Sequence, residues 1–275
     1  MIPAILFLVT FCTTLIVGAT LAGGTPLKNP ADLILGLQFN IPLLSILMVH
    51  ELGHYIAARL HGVKVTPPYF IPFLPQLPLP GTMGAIIKVK SPLPDRNALV
   101  DLGAAGPLAG AVVAIPVLML GLAMSEVRRT TGGAGIALGE SLLFRLLSRF
   151  VLGAVPDGYD VFLHPMAYAG WLGLFVTMLN LIPTGQLDGG HIAYALFGDR
   201  YGEVARLVPY GLLLMGIAWE GWFAWAVLLF VIGTGHPRTM FDEVPLTRSR
   251  IVVGALAAAL FLLSFTPVPL SFGGR

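Results

Sequence analysis

The chain has 275 residues, 56% hydrophobic and only 11% charged, with 16 Lys+Arg against 14 Asp+Glu and a net charge of +2. Soluble domains carry about 25% charged residues, so a soluble globular protein is excluded; so is disorder, which needs low hydrophobicity and high charge, and so small a charge excess gives no footprint for nucleic acid. The single cysteine, Cys12, lies in an apolar run and rules out a disulfide framework.

A membrane-spanning helix needs about 20 mostly apolar residues. Met1–Ala22 meets this and lacks the basic start of a signal peptide, so it reads as a retained span. Leu33–Leu60 is the second, carrying Gln38, Asn40 and a polar cluster at its far end. Between Val63 and Lys90 stand six prolines, Pro67, Pro68, Pro72, Pro75, Pro78 and Pro80, which exclude a helix. The flanks Val63–Thr66 and Ala85–Lys90 read as strands of a hairpin, whose tip Tyr69–Leu74 is apolar enough to dip into the bilayer interface; an ordinary proline-rich connector is the plainer alternative. Ala98–Met124 is the third span, rich in the Gly and Ala that allow close helix–helix approach.

The stretch Ser125–Val161 is Gly-rich, then amphipathic around Ser141–Phe150, and too short for a further domain of typical size. Pro165–Pro183 is the fourth span, followed by a short helix at Asp188–Phe197. Val204–Trp219 and Gly221–Gly235 form a tight pair, each short for a full crossing, and Ile251–Phe265 is the last segment. Trp219, Trp222 and Trp225 read as interface anchors. The expected fold is an all-α polytopic membrane protein. It has six to seven transmembrane helices, a short β-hairpin between spans two and three, and a single membrane domain over 1–275. The core covers about 33–197, with peripheral spans at 1–22 and 204–265.

Orientation follows from Lys and Arg placement. With the N-terminus cytoplasmic, the inside loops hold ten of the 16 basic residues and the outside six, four of these in the single loop after span three. A cytoplasmic N-terminus is therefore expected.

Span two ends in His50-Glu51-Leu52-Gly53-His54. Helix positions i and i+4 share a face, so both imidazoles can reach one metal ion, while Glu51 can contact a metal-bound water without taking a coordination position. This is the HExxH arrangement of zinc hydrolases. A carboxylate at a helix centre in the bilayer costs about 2.5–3.5 kcal/mol even on the lenient scale, so something must offset the burial of Glu51 after the apolar run Ile41–Val49. A buried His–Glu pair bracing two helices is the plainer alternative. Catalytic zinc usually takes three protein ligands. Asp188, stranded in Asn180-Leu-Ile-Pro-Thr-Gly-Gln-Leu-Asp188-Gly-Gly-His191, is the candidate third. Pro183 and Gly185 break the span there, and broken backbone at membrane depth is tolerated only where it lines an enclosed or watered cavity. The alternative for Asp188 is an N-cap of the following helix.

HELGH at 50–54 with NLIPTGQLDGGH at 180–191 resembles the site-2 protease family of intramembrane zinc metalloproteases, and Gly103-Ala-Ala-Gly-Pro-Leu-Ala-Gly110 is similar to that family's glycine-proline element. The resemblance implies that His50, His54 and Asp188 bind Zn2+ and that Glu51 is the catalytic carboxylate. It also implies that Asn180 holds the substrate backbone, that the site lies near the cytoplasmic side, and that the substrates are membrane-anchored proteins cleaved within or near their transmembrane segments. The loop Ser125–Val161 is too short for the PDZ domain that many bacterial relatives insert. A transmembrane substrate must unwind locally and find partners for its freed backbone, so strand Ala85–Lys90 is expected to offer its edge to it, with Ile87 as the contact residue.

Other readings weigh less. A prenyl-protease-type site would need Glu140, Glu203, Glu220 or Glu243 as third ligand, none in comparable surroundings, and a His-box iron oxygenase needs more than six histidines. A membrane metal transporter would use the same His/Asp cluster as a transit site but has no special need for Glu51. The intact quartet argues against an inactive scaffold. His191, one turn after Asp188, is either a supporting partner of the site or an ordinary satisfied histidine; His236 reads as interfacial, and His61 and His164 receive no role.

Overall fold

The computed structural model describes residues 1–77, 79–129 and 136–272. The chain opens with α1 (Ile2–Leu21), and a 3-10 stretch at Pro30–Gly36 leads into α2 (Leu37–Leu60). The hairpin β1 (Tyr69–Pro72) and β2 (Thr82–Ile86) precedes α3 (Arg96–Ala123). Then come β3 (Glu126–Arg129), β4 (Ile136–Leu138), α4 (Leu142–Leu152) and β5 (Tyr159–Phe162). The rest is α5 (Pro165–Asn180), α6 (Asp188–Phe197), α7 (Tyr201–Met215), α8 (Gly221–Ile232), α9 (Arg248–Ser264) and β6 (Leu270–Phe272).

Among the described residues three helical segments are long and apolar enough to cross a membrane, at Ile2–Leu21, Pro30–Leu60 and Arg96–Ala123. This is fewer than the six to seven expected from sequence. The physical reason is length: α5 has 16 residues, α7 15, α8 12 and α9 17, and at 1.5 Å per residue a 16-residue helix covers about 24 Å of a hydrocarbon core about 30 Å thick. The all-α expectation with one hairpin is also too simple. Among the described residues two further antiparallel two-stranded sheets form, β3 with β5 and β4 with β6, the second joining Ile136 to Phe272 across most of the C-terminal half.

The hairpin is real but shifted. Paired strands begin at Tyr69, inside the segment expected to form the tip, while Val65–Val89 contributes an isolated bridge. Phe70 packs edge-on against Phe7 of α1, ring centroids 5.1 Å apart, and is buried in the protein core, whereas Phe73 and Leu74 of the same stretch are exposed.

The core lies where α2, α3 and α5 meet, around Phe39, Leu43, Ile46, Leu118 and Leu122. Small residues set the separations: a Cβ on Gly121 would sit 2.2 Å from the Ala167 nitrogen, and one on Gly170 2.7 Å from the Leu118 Cα. Backbones this close let dispersion contacts act without a hydrophobic driving force in lipid. Trp222 is not an interface anchor: it is fully buried, and its Nε1 donates to the Pro267 carbonyl at 2.7 Å. At one end of the bundle Asp101 of α3 accepts from Arg250 of α9 at 2.8 Å and pairs with His61, the C-cap of α2, at 2.9 Å. His164 caps α5, accepting from the Met166 amide at 3.2 Å.

Candidate active site

The site is built on three helices. His50 and His54, one turn apart on α2, turn toward α3 and the start of α6, and both are buried. Their Nε2 atoms stand 3.1 Å apart, and Asp188 Oδ2 lies 3.3 Å from each. Among the described residues this is the group of His, Cys, Asp and Glu side chains able to hold a metal ion. Glu140, Glu203, Glu220 and Glu243 are all exposed and stand outside that group.

The protons decide what the triangle needs. His54 Nδ1 is 2.7 Å from the Leu102 carbonyl, which can only accept, so the ring is protonated there and, as the neutral imidazole a metal ligand must be, presents a lone pair at Nε2. Asp188 Oδ2, a buried oxygen with no hydrogen-bond partner, lies 3.3 Å from that nitrogen. Acceptors converging without a proton between them repel unless a cation sits among them. A tetrahedral zinc site with arms of about 2.0–2.1 Å has ligand–ligand edges of about 3.3–3.4 Å, matching the spacing here. Two imidazoles and a carboxylate, with a further position open, are the donor set of catalytic zinc, so the residues present fit Zn2+.

Glycines at 103, 106 and 110 recur at spacings of three and four, one face of α3, and each lies against a part of the site. A Cβ on Gly106 would fall 2.0 Å from His54 Nε2, one on Gly110 3.2 Å from the His50 ring, and one on Gly103 2.9 Å from the Asp188 carbonyl. The sequence shows the Gly-rich face; what it hides is that the face is the floor under the metal ligands.

Asp188 is delivered by the break between α5 and α6. Leu187 occupies the N-cap position, and the Asp188 side chain makes no capping bond but turns to the two histidines. Gly185 takes φ +59°, which favours glycine. Gly189 and Gly190 let the first turn of α6 press onto the loop, since added Cβ atoms would stand 2.0 Å from the Leu181 carbonyl and 2.4 Å from that of Gly185.

Glu51 is buried and lines, with His50, a cleft of about 90 Å³ closed by Ile46, Thr177 and Asn180 on one side and Met83–Ile86 of β2 on the other. Asn180 Nδ2 is 3.5 Å from His50 Nε2, which puts its amide beside the metal position. Ile87 lies one residue beyond β2, and its backbone faces Glu51. The strand facing the cleft is thus Thr82–Ile86 rather than Ala85–Lys90.

His191 and His236 form a pair that sequence reasoning left apart. His236 Nδ1 donates to the Pro237 carbonyl at 2.6 Å, which fixes its Nε2 as the acceptor for His191 Nδ1–H at 2.7 Å. His236 stacks on Tyr194, whose hydroxyl donates to Asp242 at 2.8 Å. Burial opposes ionisation of Asp242, but hydrogen bonds from Thr239, Arg96 and Tyr194 bring its carboxyl down to about 2. The segment after α8 is thereby fastened to α6 and α3 next to the site; nothing local in the sequence pairs two histidines 45 positions apart.

A His/His/Asp cluster able to hold a metal ion, with a buried glutamate beside it, is thus carried on apolar helices. Residues 38–218 match peptidase family M50, and the chain belongs to that family. It is 32% identical over 240 residues to "Probable zinc metalloprotease EGY2, chloroplastic" of Arabidopsis thaliana, covering 84% of this chain and 41% of that protein. To "Probable zinc metalloprotease EGY1, chloroplastic" of Arabidopsis thaliana it is 39% identical over 186 residues, 66% of this chain and 32% of that protein. To "Probable zinc metalloprotease EGY3, chloroplastic" of Oryza sativa subsp. indica it is 30% identical over 243 residues, 82% of this chain and 41% of that protein. The chain spans about two fifths of the length of the EGY2 and EGY3 relatives.

Proposed function

We propose that the protein is an intramembrane zinc endopeptidase that hydrolyses peptide bonds within or near the transmembrane segments of membrane-anchored proteins. The observation that carries this is the convergence of His50, His54 and Asp188 at 3.1–3.3 Å, beside Glu51 and across one cleft from β2. A transit site for a metal ion has no use for the glutamate or for a strand at the cleft, and membership in a peptidase family speaks against transport.

In this reading His50, His54 and Asp188 hold zinc, which when bound supplies a Lewis acid and a water acidified to a pKa of about 7. Glu51 takes the proton of the attacking water and delivers it to the leaving amine. Asn180 donates its amide to the substrate backbone next to the scissile bond. The edge of β2 pairs with the unwound substrate, satisfying backbone groups that lipid would leave bare, and Ile87 joins that surface while helping to seat Glu51.

The protein sits in the bilayer as one multi-pass domain with a cytoplasmic N-terminus, the orientation favoured by the ten-to-six distribution of basic residues. The shorter helices α5 and α7–α9 complete six to seven crossings, in a bilayer locally thinned or with flanking residues reaching the interface.

The test is cleavage of a membrane-spanning reporter by the purified protein. Glu51→Gln is expected to slow cleavage by about 10²- to 10⁴-fold while leaving bound zinc at the wild-type level. Cleavage at the wild-type rate in Glu51→Gln would contradict the reading.

A further inference from the structure

We infer that α1, which precedes the family-matched residues 38–218, sets the position of the β2 edge over the catalytic cleft, with Thr13 as the positioning residue. This rests on the protease reading above and assigns a role to a helix that touches neither zinc nor Glu51.

Two neighbouring threonines tie α1 in two directions. Thr14 is fully buried and faces α2: its Oγ1 accepts from Asn40 Nδ2 at 2.6 Å and donates to the Thr10 carbonyl at 2.8 Å. Asn40 Nδ2 also donates to the Phe11 carbonyl at 2.9 Å. Two glycines tighten the same contact, since a Cβ on Gly36 would lie 2.1 Å from the Leu15 carbonyl and one on Gly18 2.5 Å from that of Gly36. So α1 has little freedom to slide on α2, the helix that carries His50, Glu51 and His54.

Thr13, about 100° round the helix from Thr14, faces the hairpin. Its single hydroxyl proton has three carbonyls within reach, and the shortest contact, 2.6 Å, is to Gly81 at the start of β2; those to Thr10 and Val9 are 3.0 and 3.1 Å. Gly81 adopts φ +77°, and a Cβ there would stand 2.7 Å from the Thr13 carbonyl, so the turn lies directly on the helix backbone. At a second point the hairpin is held by Phe70 packed on Phe7.

The contacts close a ring: α2 to α1 through Asn40 and Thr14, α1 to the hairpin through Thr13 and Gly81, and β2 back to His50 and Glu51 across the cleft. A two-stranded hairpin is marginally stable alone, so its register against Glu51 has to come from what it leans on. If substrate pairs with β2, Thr13 decides which peptide bond arrives at the metal.

The experiment compares wild type, Thr13→Val and Thr13→Ser. Readouts are KM and kcat for a membrane-spanning reporter, the bond cleaved by mass spectrometry, zinc content, and amide exchange over residues 82–86. Loss of one hydrogen bond predicts a roughly three- to tenfold rise in KM and in exchange for Thr13→Val. Cleavage should spread to neighbouring bonds, zinc should be unchanged, and Thr13→Ser should behave as wild type. A Thr13→Val protein with wild-type KM, one cleaved bond and unchanged exchange would overturn the inference. Should Thr13→Val not fold, Gly81→Ala, which forces the turn away from α1, is expected to give the same changes, and wild-type values there overturn it equally. Failure of the wild type to cleave would count against the protease reading, whereas the exchange measurement judges the Thr13 clamp in either case.

Discussion

The helices that carry the site and the outer helix α7 treat their glycines in opposite ways. In α2, α3 and α6, every glycine but Gly110 meets neighbouring backbone or a side chain at a distance no Cβ could occupy, as Gly53 does against the Ala105 carbonyl and Gly106 against His54. In α7, Gly202 and Gly211 have nothing within 4 Å of the position a Cβ would take. The outer helices show apolar side chains to the outside, Leu207, Leu214, Val227 and Val231 among them, and keep few polar groups inside. The inner helices bury His50, Glu51, His54 and Asn40. The difference teaches where tolerance ends: a buried polar site has to be held to fractions of an ångström, and small residues are the means of bringing three helices that close together.

That contrast can be broken by substitution. Gly106→Ala should have the largest effect, because the new methyl would occupy the space of His54 Nε2; zinc affinity should fall at least on the order of 10- to 100-fold, as when ligand support is lost. Gly110→Ala, with 3.2 Å to the His50 ring, should cost less, about tenfold at most on the same scale. Metal titration of both variants checks the order, and equal affinities would show that α3 can move away from α2 without consequence. At the small end, Gly211→Ala meets nothing and replaces a poor helix former, so stability should be unchanged or rise by about 0.5–1 kcal/mol, read as a higher Tm with zinc binding intact. A fall in stability there would mean that α7 is packed more tightly than its surroundings indicate.

The site was more legible in the sequence than the fold. HExxH spacing puts two imidazoles on one helix face by geometry alone, and Asp188 stood out because an acid among glycines in broken apolar sequence needs a partner. The structure sets Asp188 on His50 and His54 and leaves the N-cap position to Leu187. Helix ends were read less well, since hydropathy runs on through Leu181–Pro183 although the chain has already turned out of α5 at Asn180. Trp222 looked like an interface anchor because its neighbours are apolar, but the Pro267 carbonyl that accepts from its ring nitrogen lies 45 residues on. The pairing of β4 with β6 has the same character, as does the shift of the hairpin, where Phe70 follows its partner Phe7 rather than the local pattern. Contacts distant in sequence leave no periodic trace, whereas metal chemistry restricts residue type and spacing at once.

The central claim is that Asp188 completes a zinc site with His50 and His54. It is tested most directly by the zinc content of purified wild type and Asp188→Ala, measured with reporter cleavage on the same samples. The account predicts one zinc per chain and cleavage in the wild type, and loss of both in a folded Asp188→Ala protein. Full zinc occupancy in Asp188→Ala would contradict it and return the search for the third ligand to the glutamates.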